Sequence, residues 1–190
     1  GFPIFELDKF TDLEKHHLAY LDKWFVTSEW SKSILVDQLK SINGEDHMNE
    51  KTTVIPLGVD RSIFRESVSH RPETIFYNCG KWEVRKGHDV LVKAFNEAFN
   101  EDDDVELWMM CDNPFYNEED NFKWERLYRS SKLGGKVRVI PRQQSQQDVY
   151  NIMSQTDCGV FPSKAEGWNL ELLEMMSCGK PVVTTDYSAH

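Results

Sequence analysis

An α/β fold with a doubly wound parallel sheet is predicted by three features of this 190-residue chain. From Thr74 onward, strand-like runs and helical stretches alternate five times. No hairpin signal joins one strand to the next, so crossover connections are expected. Hydrophobic residues make up 39% and aromatic residues 12% of the chain, which supplies a sizeable core and argues against disorder.

The elements follow in order. Asp12 through Tyr20 is amphipathic. Trp24-Phe25-Val26 is a short apolar run ended by Thr27-Ser28, and Trp30 to Ile42 has helical spacing with Gly44 as its C-cap. This opening stretch is expected to be too small to close a core of its own. Thr53-Val54-Ile55-Pro56 reads as a strand and Leu57-Gly58-Val59-Asp60 as a turn, together a candidate domain junction. Two parts are therefore expected: residues 1–56, the remnant of an N-terminal domain with its junction, and residues 57–190, the doubly wound domain. Ser67 to Glu73 is a polar loop.

Ile75 to Cys79 is a buried strand, followed by the loop Gly80 to Gly87. Asp89 to Asn100 is a helix with Val90, Leu91, Ala94, Phe95 and Ala98 on one face. Val105 to Cys111 is a strand, Asn121 to Ser131 a helix and Lys136 to Ile140 a strand. Gln146 to Ser154 is a short helix and Cys158 to Phe161 a strand. Leu170 to Cys178 is a helix apolar enough to be buried, and Pro181 to Thr185 is the last strand. Little follows that strand to cover it, and both ends read as those of a piece of a larger fold.

The formal charge is −10, which disfavours nucleic acid and anionic membranes as partners. No apolar run approaches the ~20 residues of a membrane span. Gly1-Phe2-Pro3 lacks the basic and apolar parts of a secretory signal. Cys79, Cys111, Cys158 and Cys178 are far apart with no Cys-x-x-Cys pair, and the first three lie in apolar runs. They read as small buried hydrophobes in a reducing, cytoplasmic setting. The six His are scattered, so no metal site is expected.

Two segments carry chemistry. Gly80-Lys81-Trp82-Glu83-Val84-Arg85-Lys86-Gly87 follows a strand and precedes a helix, which puts it on the ligand side of such a sheet. Its three cations, Lys81, Arg85 and Lys86, reverse the local field in an acidic protein, as a diphosphate requires. The second segment is bounded by two glutamates, Glu166 and Glu174, separated by seven residues, the first in a loop with Gly167 and the second inside a helix. A loop, a helix N-terminus and a buried carboxylate can hold an anion that carries hydroxyl groups. Plain structural readings stand beside these. The basic loop could be solvated, Glu174 could make a structural salt bridge, and Glu166 could be a loop acid favoured by the helix dipole. The first segment follows the first strand of the domain and the second follows the fourth, which are neighbours at the switch point of a doubly wound sheet.

At this point the chain resembles the retaining glycosyltransferases of the large group-1 type, which have a two-domain, Rossmann-like B-type fold. Val54 to Asp60 with Phe64 looks like that family's junction between domains. Gly80-Lys81 and Lys86-Gly87 look like its phosphate loop. Asp157 to Ser163, Glu166 to Glu174 and Gly179 to Val183 look like its donor-site signature. Phe5 to Asp8 and Trp24 to Ser31 are similar to the end of its N-terminal domain.

The resemblance implies a nucleotide-sugar donor, transfer with retention of configuration, and no metal or other cofactor. Lys81 and Lys86 would neutralise the diphosphate, with Arg85 beside them. Gly167 and the N–H groups of Trp168, Asn169 and Leu170 would bind the donor, Glu174 would accept from ribose hydroxyls, and Glu166 would hold a hydroxyl of the transferred sugar. Arg142 is a candidate contact to base or phosphate. The acceptor, whether sugar, lipid or protein, leaves no mark on this segment. The segment alone is expected to bind nucleotide without catalysing transfer.

This chain departs from the family pattern at three positions. Lys81 replaces the usual Arg, Trp168 replaces Phe, and Glu171 is an additional carboxylate, expected to face solvent. A sugar-nucleotide epimerase or phosphorylase of the same architecture is one alternative. A non-catalytic module that binds nucleotide, or binds protein through its sheet edge, is another.

Overall fold

The computed structural model describes residues 1–190. They form two compact units: Gly1–Gly58 with Ala165–Asn169 and Asp186–His190, and Val59–Lys164 with Leu170–Thr185.

The first unit contains α1 (Asp12–Ala19), β1 (Trp24–Val26), α2 (Glu29–Asn43), α3 (Glu45–Lys51) and β2 (Thr52–Val54). Thr11 and Glu14 form a capping box at the start of α1. Ser28 caps α2 by accepting from the Ser31 N–H at 3.1 Å. β1 and β2 pair in parallel, Trp24 opposite Thr52. Contrary to the sequence expectation, this stretch does close a core. Trp24, Val26, Leu35, Leu39 and Met48 are fully buried together, with Phe5, Phe10 and Leu18 packed around them. Burial of each such side chain contributes about 1.5–3 kcal/mol, which a crossover helix on a two-stranded ribbon is enough to arrange. Helix α3 left no periodic signal because Met48 is its one buried residue.

The second unit is the predicted doubly wound sheet. Its strands are β3 (Thr74–Gly80), β4 (Val105–Cys111), β5 (Val137–Val139), β6 (Cys158–Phe161) and β7 (Val182–Thr184). All pair in parallel, in the order β5-β4-β3-β6-β7. The chain grows outward from β3 through β4 to β5, then returns to place β6 against the other side of β3. Its helices are α4 (His88–Ala98), α5 (Glu118–Arg129), α6 (Gln146–Met153) and α7 (Leu170–Ser177).

The period-2 alternation of the strands sorts side chains onto two faces. Leu107, Met109 and Cys111 of β4 pack with Leu91, Val92 and Phe95 of α4 and Tyr128 of α5. Trp108 and Met110 of β4 pack with Tyr150 and Met153 of α6 and Leu172 and Met175 of α7. Helices therefore cover both faces, α4 and α5 on one, α6 and α7 on the other.

Two helix faces differ from expectation. In α4 the buried set is His88, Leu91, Val92 and Phe95, while Val90 is 47% exposed. Turning Val92 inward buries a larger apolar side chain than that of Ala94 or Ala98, both of which stay exposed. In α7 only Leu172 and Met175 are buried; Leu170 and Met176 are exposed, so the helix is covered on one side. Helix α5 starts three residues before the expected Asn121, because Asn117 caps it by accepting from the Asp120 N–H at 2.8 Å.

Candidate functional site

Parallel pairing of β3 with β6, Phe76 opposite Cys158 and Tyr77 opposite Gly159, brings the loops after those two strands side by side. Asn78 locks the junction. This polar residue is buried in an apolar strand, where its Nδ2 donates to the Val160 carbonyl at 2.6 Å and its Oδ1 accepts from Cys111 Sγ at 3.2 Å. Three adjacent strands are tied together where their ligand-side loops begin.

The Gly80–Gly87 loop is held from beneath by a buried aromatic group. Trp82 is 1% exposed and stacks on Trp124, with ring centroids 6.2 Å apart. His88, fully buried, places Nε2 2.9 Å from the Lys81 carbonyl. Burial pushes the His88 imidazole down to about 4, so it is neutral at pH 7 and gives an N–H to that carbonyl. Tyr128 donates its hydroxyl to the His88 carbonyl at 2.8 Å, and Asn113 Nδ2 donates to the Trp82 carbonyl at 2.9 Å.

The loop also touches the segment that follows β6. Gly87 caps α4 with φ 72°, and a Cβ there would collide with the Pro162 carbonyl. The Lys164 N–H donates to the Arg85 carbonyl at 2.7 Å, and Lys164 Nζ pairs with Asp89 at 3.1 Å. Lys86 is buried, its stem passing over Gly80, and its Nζ lies 3.5 Å from Glu171 Oε1 in the first turn of α7. A buried ammonium needs a counter-charge, and Glu171 supplies one. Glu171 is thus half-buried and paired, which corrects the expectation that it faces solvent.

One turn further along α7, Glu174 is half-buried. Burial, reinforced by the neighbouring Glu171 charge, pushes its carboxyl up to about 7. On β3, burial first and then Glu171 push the Cys79 thiol up to about 12, so this cysteine stays protonated.

The other sequence candidates lie as follows. Lys81 sets its Nζ 5.3 Å above the exposed ring of Phe115. Arg85 pairs with Glu83 at 2.7 Å. Arg142 is exposed in the loop after β5, a strand separated from β3 by β4. Glu166, Gly167, Trp168 and Asn169 belong to the first unit. There the Glu166 N–H donates to Ser188 Oγ at 2.8 Å, and the Glu166 carbonyl accepts from the Ala189 N–H at 3.2 Å. Thr27 Oγ1 donates to the Gly167 carbonyl at 2.5 Å. A Cβ on Gly167 would stand 2.7 Å from Ile4 Cγ2 and 2.8 Å from the Phe5 carbonyl. The Asn169 N–H, expected to serve a ligand, is given to the Ala189 carbonyl at 3.2 Å.

Sequence reasoning did not single out Asn78, His88, Thr27 or Ser188. A lone Asn within the apolar run 75–79 was the available sign for the first; the others left none. No group of three or more His, Cys, Asp and Glu is placed to hold a metal ion, and no helix is long and apolar enough to cross a membrane.

A parallel sheet in the order β5-β4-β3-β6-β7, covered by helices on both faces, is the Rossmann-like architecture of B-type glycosyltransferases. The chain belongs to the glycosyl transferases group 1 family, whose model matches residues 73–190. An uncharacterized glycosyltransferase of Methanocaldococcus jannaschii is 23% identical over 188 residues, covering 90% of this chain and 41% of that protein. Among solved structures, a glycosyltransferase from Rickettsia africae superposes with a TM-score of 0.77 at 18% identity, covering 97% of this chain and 51% of the other. HepE of Anabaena, crystallised with UDP-glucose, gives a TM-score of 0.74 at 18% identity over 94% of this chain and 50% of that one. This chain spans about two fifths of the length of the curated relatives it matches.

Proposed function

We propose that this chain is the donor-binding part of a glycosyltransferase that moves a sugar from a nucleoside diphosphate to an acceptor. The observation that supports it best is the meeting of the Gly80–Gly87 loop with the start of α7, marked by the Lys86–Glu171 pair. Lys86 and Lys81 meet the diphosphate charge, with Arg85 adjacent. Neutralising that charge stabilises the departing nucleotide, so the proposal requires no metal ion. Glu174 accepts from the ribose hydroxyls and Glu166 holds a hydroxyl of the sugar. Retention of configuration is proposed from the family resemblance. A UDP-sugar is the first donor to try, since HepE was crystallised with UDP-glucose. The four free cysteines fit a cytoplasmic setting.

Calorimetric titration of the chain with UDP, GDP and ADP tests the reading. Binding of one of them, weakened at least tenfold by Lys86→Met, is expected. No heat from any of the three would contradict it.

A further inference from the structure

We propose that Glu171 is a built-in competitor for the diphosphate: in the free protein its carboxylate engages Lys86, and the incoming phosphates must take that ammonium from it. This rests on the donor reading above and adds a control to the same site. The geometry carries it. Glu171 Oε1 lies 3.5 Å from Lys86 Nζ, and the side chains are only 26% and 10% exposed, so solvent and salt screen the pair less than a surface ion pair. Glu171 also occupies the first turn of α7. That is the position where a helix favours an anion, and where the proposed donor places its phosphates.

Glu174 stands one turn away and contributes a second carboxylate to the same patch, its pKa raised first by burial and then by the Glu171 charge. On β3, the neighbouring Cys79 and Tyr77 stay protonated, so neither adds charge at neutral pH. A diphosphate entering beside Lys86 therefore meets Glu171 as a like charge at close range. Part of its attraction to Lys86 is spent separating an existing pair. Affinity for the charged part of the ligand is lowered, while affinity for the nucleoside part is not.

The test compares the wild-type chain with Glu171→Gln, Glu171→Asp, Lys86→Gln and Lys86→Gln/Glu171→Gln. Each is titrated with UDP, GDP and ADP and with the corresponding nucleosides. For the diphosphate that binds, Glu171→Gln is expected to tighten binding about tenfold, or about 1.4 kcal/mol. Glu171→Asp, which keeps the charge, restores wild-type affinity. The nucleoside binds both proteins alike, and in the Lys86→Gln background the gain falls below twofold. Thermal melting establishes that each variant is folded. Unchanged or weaker diphosphate binding by folded Glu171→Gln would overturn the competition while leaving the donor site intact. An equal gain for the nucleoside would overturn it too, by showing a packing effect. Absence of heat from every diphosphate with every protein would instead remove the donor reading and this inference with it.

Discussion

The backbone of Gly87 runs so close to the Pro162 carbonyl that no side chain fits between them. This contact joins the loop after β3 to the segment after β6, and the left-handed Gly87 (φ 72°) starts α4 at the same point. Gly87→Ala is expected to cost at least about 2 kcal/mol, from the left-handed conformation and the steric overlap together. Urea unfolding measures it. A change below about 0.5 kcal/mol would show that the loops can part freely.

Lys86 should dominate diphosphate affinity. A charge-assisted hydrogen bond is worth about 1.5–3 kcal/mol, which corresponds to roughly 10- to 100-fold in binding. Lys86→Met should lose that much toward a nucleoside diphosphate. Lys81→Met should lose less, because its ammonium lies over Phe115 in the free protein. Titration calorimetry ranks the two, and equal losses would refute the ranking.

Glu174 should make stability depend on pH. Its folded carboxyl titrates at about 7, above the ordinary value of 4.5. The folded state therefore holds a proton that the unfolded chain releases earlier. Its contribution is fully present below pH 4.5 and is lost as pH rises to about 7. Glu174→Gln should flatten this slope. Urea midpoints at pH 5 and pH 8 should differ more in the wild type than in the variant, by the loss at the higher pH.

Asn78 should matter for stability although it lies in the sheet interior. Asn78→Ala leaves the half-buried Val160 carbonyl without its donor and deprives Cys111 of an acceptor. About 1–3 kcal/mol is expected for such unsatisfied groups. A variant as stable as wild type by chemical denaturation would show that another donor reaches Val160.

Much of this was readable in one dimension. Strand runs such as 75–79 and 105–111 and their intervening helices are local patterns, since apolar periodicity reflects which side of an element meets the core. The basic loop at 80–87 and the paired glutamates at 166 and 174 were likewise visible as residue types at fixed spacing. Helix α3 was not, because one buried Met48 makes no pattern, and the inward turn of α4 was not, because Val92 and Ala94 each fit an apolar stripe beside Leu91 and Phe95 and packing across space chose Val92.

By itself, then, the sequence determined the alternation of strands and helices, the absence of hairpins and the placing of charged loops after strands. Only the tertiary structure decided that Glu171, rather than solvent, faces Lys86, and that Asn78 bridges three strands. It also decided that the Asn169 N–H is already given to Ala189. The physical reason is separation along the chain: 85 residues divide Lys86 from Glu171 and 82 divide Asn78 from Val160. Their meeting depends on strand order and register, which the folded sheet sets and no local window of sequence contains.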